Sequence, residues 1–262
     1  MTSNEILRRN LLAQISGAYG MSCDIDACMD IVTRGADVNT DGKDGLTVLM
    51  HAARQGRADA IQFFLEQGAE IDKGDEIGRT ALMYAMDAGK YDAVFTLIEN
   101  GTNVDVRDKV GRGPLHAHLQ FVNAKDMRAG LLLLRHGVDV DSRDKHGWTP
   151  LIAAACFGRA DMAAFLLNHG ADIDARDKNG ETPIMHAVHM GQYHVLRFLL
   201  ARGAKMDIAD NRGRTVMDRA VLAEAKCILV PEERRRRKKA FHEAAEKGTV
   251  RPRKIIRRRP GP

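Results

Sequence analysis

Aromatic residues are scarce in this 262-residue chain, where phenylalanine, tyrosine and tryptophan make up 5% and tryptophan occurs once. A core must therefore be built mainly from alanine, leucine, isoleucine, valine and methionine, within a hydrophobic content of 44%. Sheets usually draw on more aromatic and β-branched residues, so the composition favours closely packed helices over a β-sandwich. The length suits one large domain or two modest ones.

Cysteine is sparse too, with four residues and no Cys-x-x-Cys pair. No histidine lies near them at the spacing of a zinc ligand, and four cysteines in a chain this long do not make a disulfide framework. The first residues lack a basic stretch followed by an apolar run, which predicts no signal peptide. No stretch of 18 apolar residues is present to span a membrane. We therefore expect a reduced, cytoplasmic setting.

Motifs that carry chemistry are missing. The chain has no Gly-x-Gly-x-x-Gly, no Gly-x-x-x-x-Gly-Lys-Ser/Thr, no Gly-x-Ser-x-Gly and no His-Glu-x-x-His. His186, His189 and His194 are close in sequence, but no acidic or cysteine partner is in register with them for a metal. We expect no enzymatic activity, no metal and no cofactor.

Positive charge is concentrated at one end of the chain. Residues 231–262 hold 13 lysines and arginines against 4 acidic residues, whereas residues 1–230 hold 27 basic and 31 acidic residues. A mildly acidic body is thus followed by a strongly basic tail, and the net charge of +5 comes from the tail alone.

A pattern of glycines repeats along the body of the chain. The first series lies at spacings of 33, 33, 36, 33 and 33 residues: Gly45, Gly78, Gly111, Gly147, Gly180 and Gly213. A second series follows it by 23 residues, or by 26 in the third unit: Gly68, Gly101, Gly137, Gly170 and Gly203. A constant period in this range is typical of stacked supersecondary units.

The residues of one unit predict turn, helix, turn, helix. A threonine two residues after the turn glycine suits a helix N-cap, and a proline that follows it suits the first helical position. Paired alanines let a neighbouring helix approach, and a glycine such as Gly56 or Gly158 ends this first helix. The second apolar segment has helical spacing and ends at a glycine suited to the left-handed conformation.

This unit resembles the ankyrin repeat. The best copies are "DKHGWTPLIAAACFGRADMAAFLLNHGADIDAR" (residues 144–176) and "DKNGETPIMHAVHMGQYHVLRFLLARGAKMDIA" (residues 177–209). The resemblance covers about residues 42–221 in five full units. It implies an all-α ankyrin-repeat solenoid with short β-hairpin or turn fingers.

The resemblance also suggests a division of the chain and shows departures from the family pattern. We expect a degenerate N-terminal capping repeat in residues 1–39, repeats with a C-terminal capping unit in residues 40–225, and a basic extension, part helical and part disordered, in residues 226–262. Pro231 is expected to open the helix of that extension and Gly248 to close it. The third unit has Gly113 where threonine belongs, and an insertion around residues 120–126 predicts a distorted first helix or a longer loop.

An aspartate stands three residues before most of the turn glycines, and three times it lies within the triplet Arg-Asp-Lys. Such a short carboxylate bonds backbone N–H groups two residues on, which predicts a turn-forming role for Asp75, Asp108, Asp144, Asp177 and Asp210. By the resemblance, basic residues beside it project from the fingers toward the concave face. They are Arg107, Lys109, Arg143, Lys145, Arg176, Lys178, Arg212 and Arg214. Either a ligand binds this basic row, or the basic side chains are simply solvated.

The lone tryptophan, Trp148, follows a turn glycine, at a position that the resemblance assigns to partner contacts. An exposed tryptophan near arginine is typical of a binding hot spot, although packing on the neighbouring finger is the alternative. The resemblance implies a concave partner-binding face made of Ile77, Arg79, Val110, Arg112, His146, Trp148, Cys156, Phe157, Glu181, His189 and Met190.

The basic tail has two interpretations. It could bind nucleic acid or an anionic surface, or Phe241, Ala244 and Ala245 could dock on the last repeat and leave the charges solvated. The charges are Arg234, Arg235, Arg236, Arg237, Lys238, Lys239, Arg257, Arg258 and Arg259. The sequence thus predicts a monomeric, non-enzymatic scaffold that binds another protein through its concave face. The alternative is nucleic-acid or anionic-surface binding through the tail.

Overall fold

A computed structural model describes residues 3–15, 23–117, 127–220 and 223–246 of the chain. Every regular element in these ranges is a helix, which confirms the all-α prediction. The α-helices are α1 (Ser3–Ile15), α2 (Ile25–Thr33), α3 (Val48–Gln55), α4 (Ala58–Glu66), α5 (Ala81–Asp87), α6 (Tyr91–Glu99), α7 (Pro114–Ala117), α8 (Arg128–Arg135), α9 (Pro150–Cys156), α10 (Ala160–Asn168), α11 (Pro183–His189), α12 (Tyr193–Ala201), α13 (Val216–Arg219) and α14 (Ala223–Glu246). None of the helices described is both long enough and apolar enough to cross a membrane.

Helices at the same place in successive units pack side by side. The first helices of the units contact one another in the order α3, α5, α7, α9, α11 and α13. Each of the first five also packs on the second helix of its own unit, which is α4, α6, α8, α10 or α12. A single unit cannot bury both faces of its helices, so the stack supplies the burial that each unit lacks. This arrangement confirms the solenoid prediction.

The buried core follows the stack as two clusters that meet at the third unit. One contains residues from Leu11 to Val138 and the other residues from Leu151 to Leu229, and Leu134 packs against both. Close helix approach is visible at Gly130 in α8, where a β-carbon would lie 3.1 Å from the ring of Phe165. The predicted effect of the insertion at residues 120–126 falls outside the described part of the chain.

The turn glycines allow neighbouring fingers to touch through their backbones. Gly147 has φ of +79°, and a β-carbon on it would lie 2.9 Å from the amide nitrogen of Lys178 in the next finger. That amide donates to the carbonyl of His146 at 3.1 Å, and the Lys145 amide donates to Val110 at 2.9 Å. One such bond joins each pair of successive fingers, so the fingers are turns, and the described residues contain no strand of the expected β-hairpins.

The aspartates form the turns as predicted. Asp144 Oδ1 accepts the amides of His146 and Trp148 at 2.8 and 2.9 Å, while the Asp144 amide donates to the Trp148 carbonyl at 3.0 Å. The same two side-chain bonds recur at Asp75, Asp108, Asp177 and Asp210. Each carboxylate satisfies two amides that the turn itself leaves without partners.

The threonines cap the first helices in only some of the units. Thr47 Oγ1 accepts the amide of Met50, and Thr149 Oγ1 accepts the amide of Ile152, each at 3.3 Å. Thr215 lies in a capping box with Asp218. The hydroxyls of Thr80 and Thr182 are buried and make no hydrogen bond in the described structure, so the N-cap prediction does not extend to these two units.

Two helices, α1 and α2, cover the amino-terminal end of the core. Asp24 caps α2 by accepting the amide of Ala27 at 3.1 Å. Cys23 and Cys28 flank the cap, with their sulfur atoms 3.4 Å apart and both side chains buried. Small apolar residues at these positions close the helix start as a hydrophobic staple.

The last helix begins earlier than the sequence indicates. α14 starts at Ala223 and runs through Pro231, so this proline does not open it. Buried Ala225 and Leu229 hold the first turns of α14, and α14 packs on α12, so tertiary contacts offset the backbone bond that the proline removes. Gly248 and the side chains of Phe241 and Ala245 lie outside what the structure describes.

The middle residue of the triplet should matter for stability and the lysine beside it should not. Asp144→Ala removes the acceptor of two turn amides, and we expect a loss of about 1–3 kcal/mol in the free energy of unfolding. Lys145→Ala should change that free energy by less than about 0.5 kcal/mol, because the lysine side chain is exposed. Urea unfolding followed by circular dichroism measures both, and equal losses would contradict the turn-forming role.

Candidate functional site

Exposed apolar side chains lie along the fingers and the ends of the first helices. Ile77 and Val110 occupy finger tips, while Phe157 and Met190 directly follow α9 and α11. All four are among the large hydrophobic residues that stay exposed, with exposed fractions of 51%, 37%, 49% and 51%. All four are also predicted concave-face residues.

A pocket of about 420 Å³ lies where the fingers meet α9. It brings together five predicted residues, which are Val110, Arg112, His146, Trp148 and Phe157. A second cavity of about 430 Å³ lies further along the stack and is lined by Glu181, His189, Arg212 and Arg214. The predicted face is therefore not flat but contains two adjoining depressions.

Trp148 is held firmly at the wall of the first pocket. Its amide donates to Asp144, its carbonyl lies 3.0 Å from Nε2 of His116, and its ring meets the edge of the His186 ring at a centroid distance of 5.0 Å. The side chain remains only half-buried. Packing on the neighbouring unit and lining of the pocket, the two alternatives from sequence, therefore occur together.

Some predicted concave-face residues are engaged within the chain. Cys156 is 4% exposed, so its side chain is not available at the surface, which corrects its assignment as a contact residue. Residue 156 is the last of α9 and turns inward, whereas Phe157 turns outward. Arg79 pairs with Asp87 and lies 4.5 Å above the Tyr84 ring.

Two of the three triplet arginines connect neighbouring fingers. Arg143 Nη1 donates to the carbonyl of Arg176 at 2.6 Å, and Arg176 Nη2 donates to the carbonyl of Ala209 at 3.0 Å. These guanidinium groups therefore have a structural task that sequence reasoning missed. Lys109, Lys145 and Lys178 are exposed, so three consecutive fingers each present one lysine of the predicted basic row.

In three units the second oxygen of the turn aspartate takes a partner from the first helix, and that partner differs between units. Tyr84 OH donates to Asp75 Oδ2 at 2.6 Å, and Arg219 Nη2 donates to Asp210 Oδ2 at 2.7 Å. His186 Nε2 lies 3.1 Å from Asp177 Oδ2 in the unit between them. In each case the partner stands nine residues after the aspartate, a spacing that is visible in the sequence.

Alanine replaces this partner in the third and fourth units. Asp108 instead receives Arg112 Nε at 2.8 Å. Asp144, whose ninth following residue is Ala153, has no donor to Oδ2 among the described residues. Asp144 and Ala153 both line the pocket of Trp148.

A buried relay lies beneath Trp148. Cys156 Sγ is 3.4 Å from His186 Nδ1, and the other ring nitrogen of His186 contacts Asp177. Burial, and then the charges of Asp177 and Glu181, raise the pKa of the Cys156 thiol to about 12. A thiol with such a pKa stays protonated at neutral pH and is a poor nucleophile. The order of cysteine, histidine and aspartate resembles a nucleophilic relay, but the electrostatics oppose that chemistry.

The same region contains oxygen and nitrogen atoms that could hold a metal. Asp177, Glu181 and His186 offer atoms within 4.8 Å of one another. The guanidinium of Arg219 bonds to Glu181 and also to Asp210. It therefore already supplies to Glu181 the positive charge that a metal ion would bring, while Asp177 contacts the His186 ring.

The basic tail residues divide into two groups on α14. Arg236 turns inward, where Nη1 donates to the carbonyl of Ala204 at 2.8 Å, just beyond the end of α12. The others of this run are exposed: Arg234, Arg235, Arg237, Lys238 and Lys239. Arg257, Arg258 and Arg259 lie outside the described residues.

Thiol reactivity should distinguish the buried relay from a reactive cysteine. At pH 8 the raised pKa leaves Cys156 with roughly 10³-fold less thiolate than an unperturbed thiol, and burial slows it further. Ellman's reagent should therefore react first with the exposed Cys227, and Cys227→Ser should remove that fast phase. Rapid alkylation of Cys156 in the native protein, located by peptide mapping, would contradict this assignment.

Comparisons with known proteins agree with this architecture. A family model described as ankyrin repeats in three copies matches residues 18–108, 97–177, 115–210 and 173–230. The crystal structure of the human ASB11 ankyrin repeat domain superposes with a TM-score of 0.69 at 22% identity, over 86% of this chain and 96% of that chain. A search of curated proteins gives no significant match. Since the family model covers most of its length, the chain belongs to the ankyrin repeat family.

Proposed function

We propose that this chain is a monomeric, non-enzymatic scaffold of the cytoplasm that binds another protein through its concave face. Ankyrin repeats are generally protein–protein interaction modules. The observation that carries the proposal is the apolar pocket around Trp148, with Val110 and Phe157 exposed on its walls. Large side chains left exposed together at a depression are typical of interaction sites.

The charge of the fingers favours a partner segment that carries acidic residues. Lys109, Lys145 and Lys178 are exposed on consecutive fingers. A chain lying across these fingers would place its carboxylates near the lysines while apolar side chains enter the pocket. Complementary charge of this kind raises the association rate and fixes the orientation of the partner.

The pocket wall is formed before any partner binds. Trp148 is fixed by Asp144, His116 and His186, and the fingers are joined to each other by backbone bonds. A surface that is already ordered loses little conformational entropy on association. This favours a scaffold whose face changes little on binding.

Substitutions on the concave face should remove partners that a matched outer substitution leaves in place. We expect Val110→Ala combined with Phe157→Ala to weaken capture about tenfold or more, as for the loss of hot-spot side chains. Phe95→Ala is the control, because Phe95 is also exposed but lies on the second helix α6. Quantitative affinity mass spectrometry on all three proteins measures the effect. Equal recovery of every partner with both variants would refute the proposal.

A second candidate function is nucleic-acid binding by α14. The supporting observation is the run of five exposed cations, Arg234, Arg235, Arg237, Lys238 and Lys239, with Arg236 pointing the other way. At 100° per residue these five cover about 200° of the helix circumference. Pairing with Glu232, Glu233 and Glu243 opposes this function only weakly, since exposed ion pairs contribute little.

Salt dependence tests this second function. If each of the five cations neutralises one phosphate, the logarithm of the affinity for duplex DNA should fall with the logarithm of the salt concentration at a slope of about −4.5. A variant with these five residues changed to glutamine should lose the binding, while Arg236 keeps α14 anchored. Fluorescence anisotropy of a labelled duplex measures both. Unchanged binding by the variant excludes α14, and binding to anionic vesicles alone would assign a membrane surface instead.

A further inference from the structure

One carboxylate oxygen distinguishes the Trp148 unit from its neighbours. In the flanking fingers, Asp108 Oδ2 receives Arg112 and Asp177 Oδ2 contacts His186. Asp144 is 9% exposed, yet its Oδ2 has no donor among the described residues. The carboxylate therefore forms its turn through Oδ1 and keeps at Oδ2 an acceptor position that the described residues do not fill.

The open position faces a cavity rather than the packed core. Asp144 lines the pocket together with Ala153, Trp148 and Phe157. Ala153 stands where the equivalent residue, His186 or Arg219, fills the space beside the aspartate of its own unit. The small alanine side chain therefore leaves an empty volume beside Asp144, and it leaves Asp144 Oδ2 free to accept from a group outside the chain.

We propose that the pocket binds an arginine side chain of the partner, whose guanidinium donates to Asp144 Oδ2 between Trp148 and Phe157. The inference rests on the proposed function, because it specifies what the concave face accepts. The partner would supply to Asp144 the kind of bond that Arg219 supplies to Asp210 within the chain.

Guanidinium fits this pocket better than other donors do. It makes short charge-assisted bonds to carboxylates and also stacks on aromatic rings. This chain uses the same combination elsewhere: Arg79 lies over the Tyr84 ring at 4.5 Å, and Arg202 lies over the Phe198 ring at 5.0 Å. Trp148 and Phe157 offer the rings in the pocket, and Asp144 offers the carboxylate.

The other charges around the pocket do not oppose a cation there. Arg112 is neutralised by its ion pair with Asp108. Burial lowers the pKa of His116 and of His186, so both imidazoles at the pocket are neutral at pH 7. The exposed lysines lie on the fingers, where acidic residues that flank the arginine in the partner would meet them.

Trp148 provides a direct measurement, because it is the only tryptophan of the chain. The full-length protein is titrated with N-acetyl-L-argininamide at constant ionic strength, and tryptophan emission and the indole N–H chemical shift are followed. We expect saturable changes at millimolar concentration, with a weaker response to N-acetyl-L-lysinamide and to N-acetyl-L-tyrosinamide. No change in either signal, or an equal response to all three compounds, would overturn the proposal.

Two variants locate the binding. Asp144→Asn keeps the Oδ1 acceptor of the turn but replaces the open oxygen with an amide NH2 group, which donates instead of accepting, and it should weaken binding about tenfold or more. Ala153→Arg places a guanidinium of the chain itself in the pocket and should abolish binding. Asp75→Asn is the matched control, two fingers away and already paired with Tyr84, and should bind as the wild type does. Equal affinity in all four proteins would refute the site.

The small-molecule titration also separates this inference from the proposed function. If Val110 and Phe157 are needed for partner capture but argininamide does not bind, the arginine pocket is wrong and the concave face stands. If argininamide binds through Asp144 but concave substitutions leave every partner in place, the pocket stands and the proposed protein-binding role is wrong.

Discussion

The structure depends on one repeated interaction, the bond of a buried aspartate carboxylate to two amides of its own turn. At Asp144 this bond shapes a finger whose glycine, Gly147, brings the next finger close enough for one backbone hydrogen bond between them. The fingers then hold the first helices in register, and the paired helices bury the core. Because the turn is closed by its own aspartate, the residue at its tip is free to vary and stays exposed, as Val110 does.

The other oxygen of the same carboxylate has a different bonding partner from one unit to the next. A phenol, two guanidinium groups and an imidazole serve this oxygen in different units, through Tyr84, Arg112, Arg219 and His186. The bonds from Tyr84, His186 and Arg219 tie the fingers to the first helices, and in the last units Arg219 links Glu181 to Asp210. In the fourth unit Ala153 stands in place of such a partner, and a pocket lies beside Asp144. In the proposed site, the turn uses one oxygen of Asp144 and recognition uses the other.

The basic end of the chain follows the same division between structure and surface. The guanidinium of Arg236 donates to the carbonyl of Ala204, whereas the side chains of its basic neighbours on α14 are exposed. A run of like charges is thus split by the helical period into one anchor and an exposed cationic surface. The helix continues through Pro231 because contacts on either side of the proline hold the backbone in place.

The sequence by itself determined the fold, because a 33-residue period with glycines and aspartates at constant offsets describes local turns that depend only on neighbouring residues. It also placed Trp148, Val110 and Phe157 on one face. Tertiary structure alone decided that Cys156 turns inward and that Arg143 and Arg176 brace the next finger. These outcomes depend on side chains about 30 residues apart meeting across units, and such distances are set by the stacking and not by any local pattern.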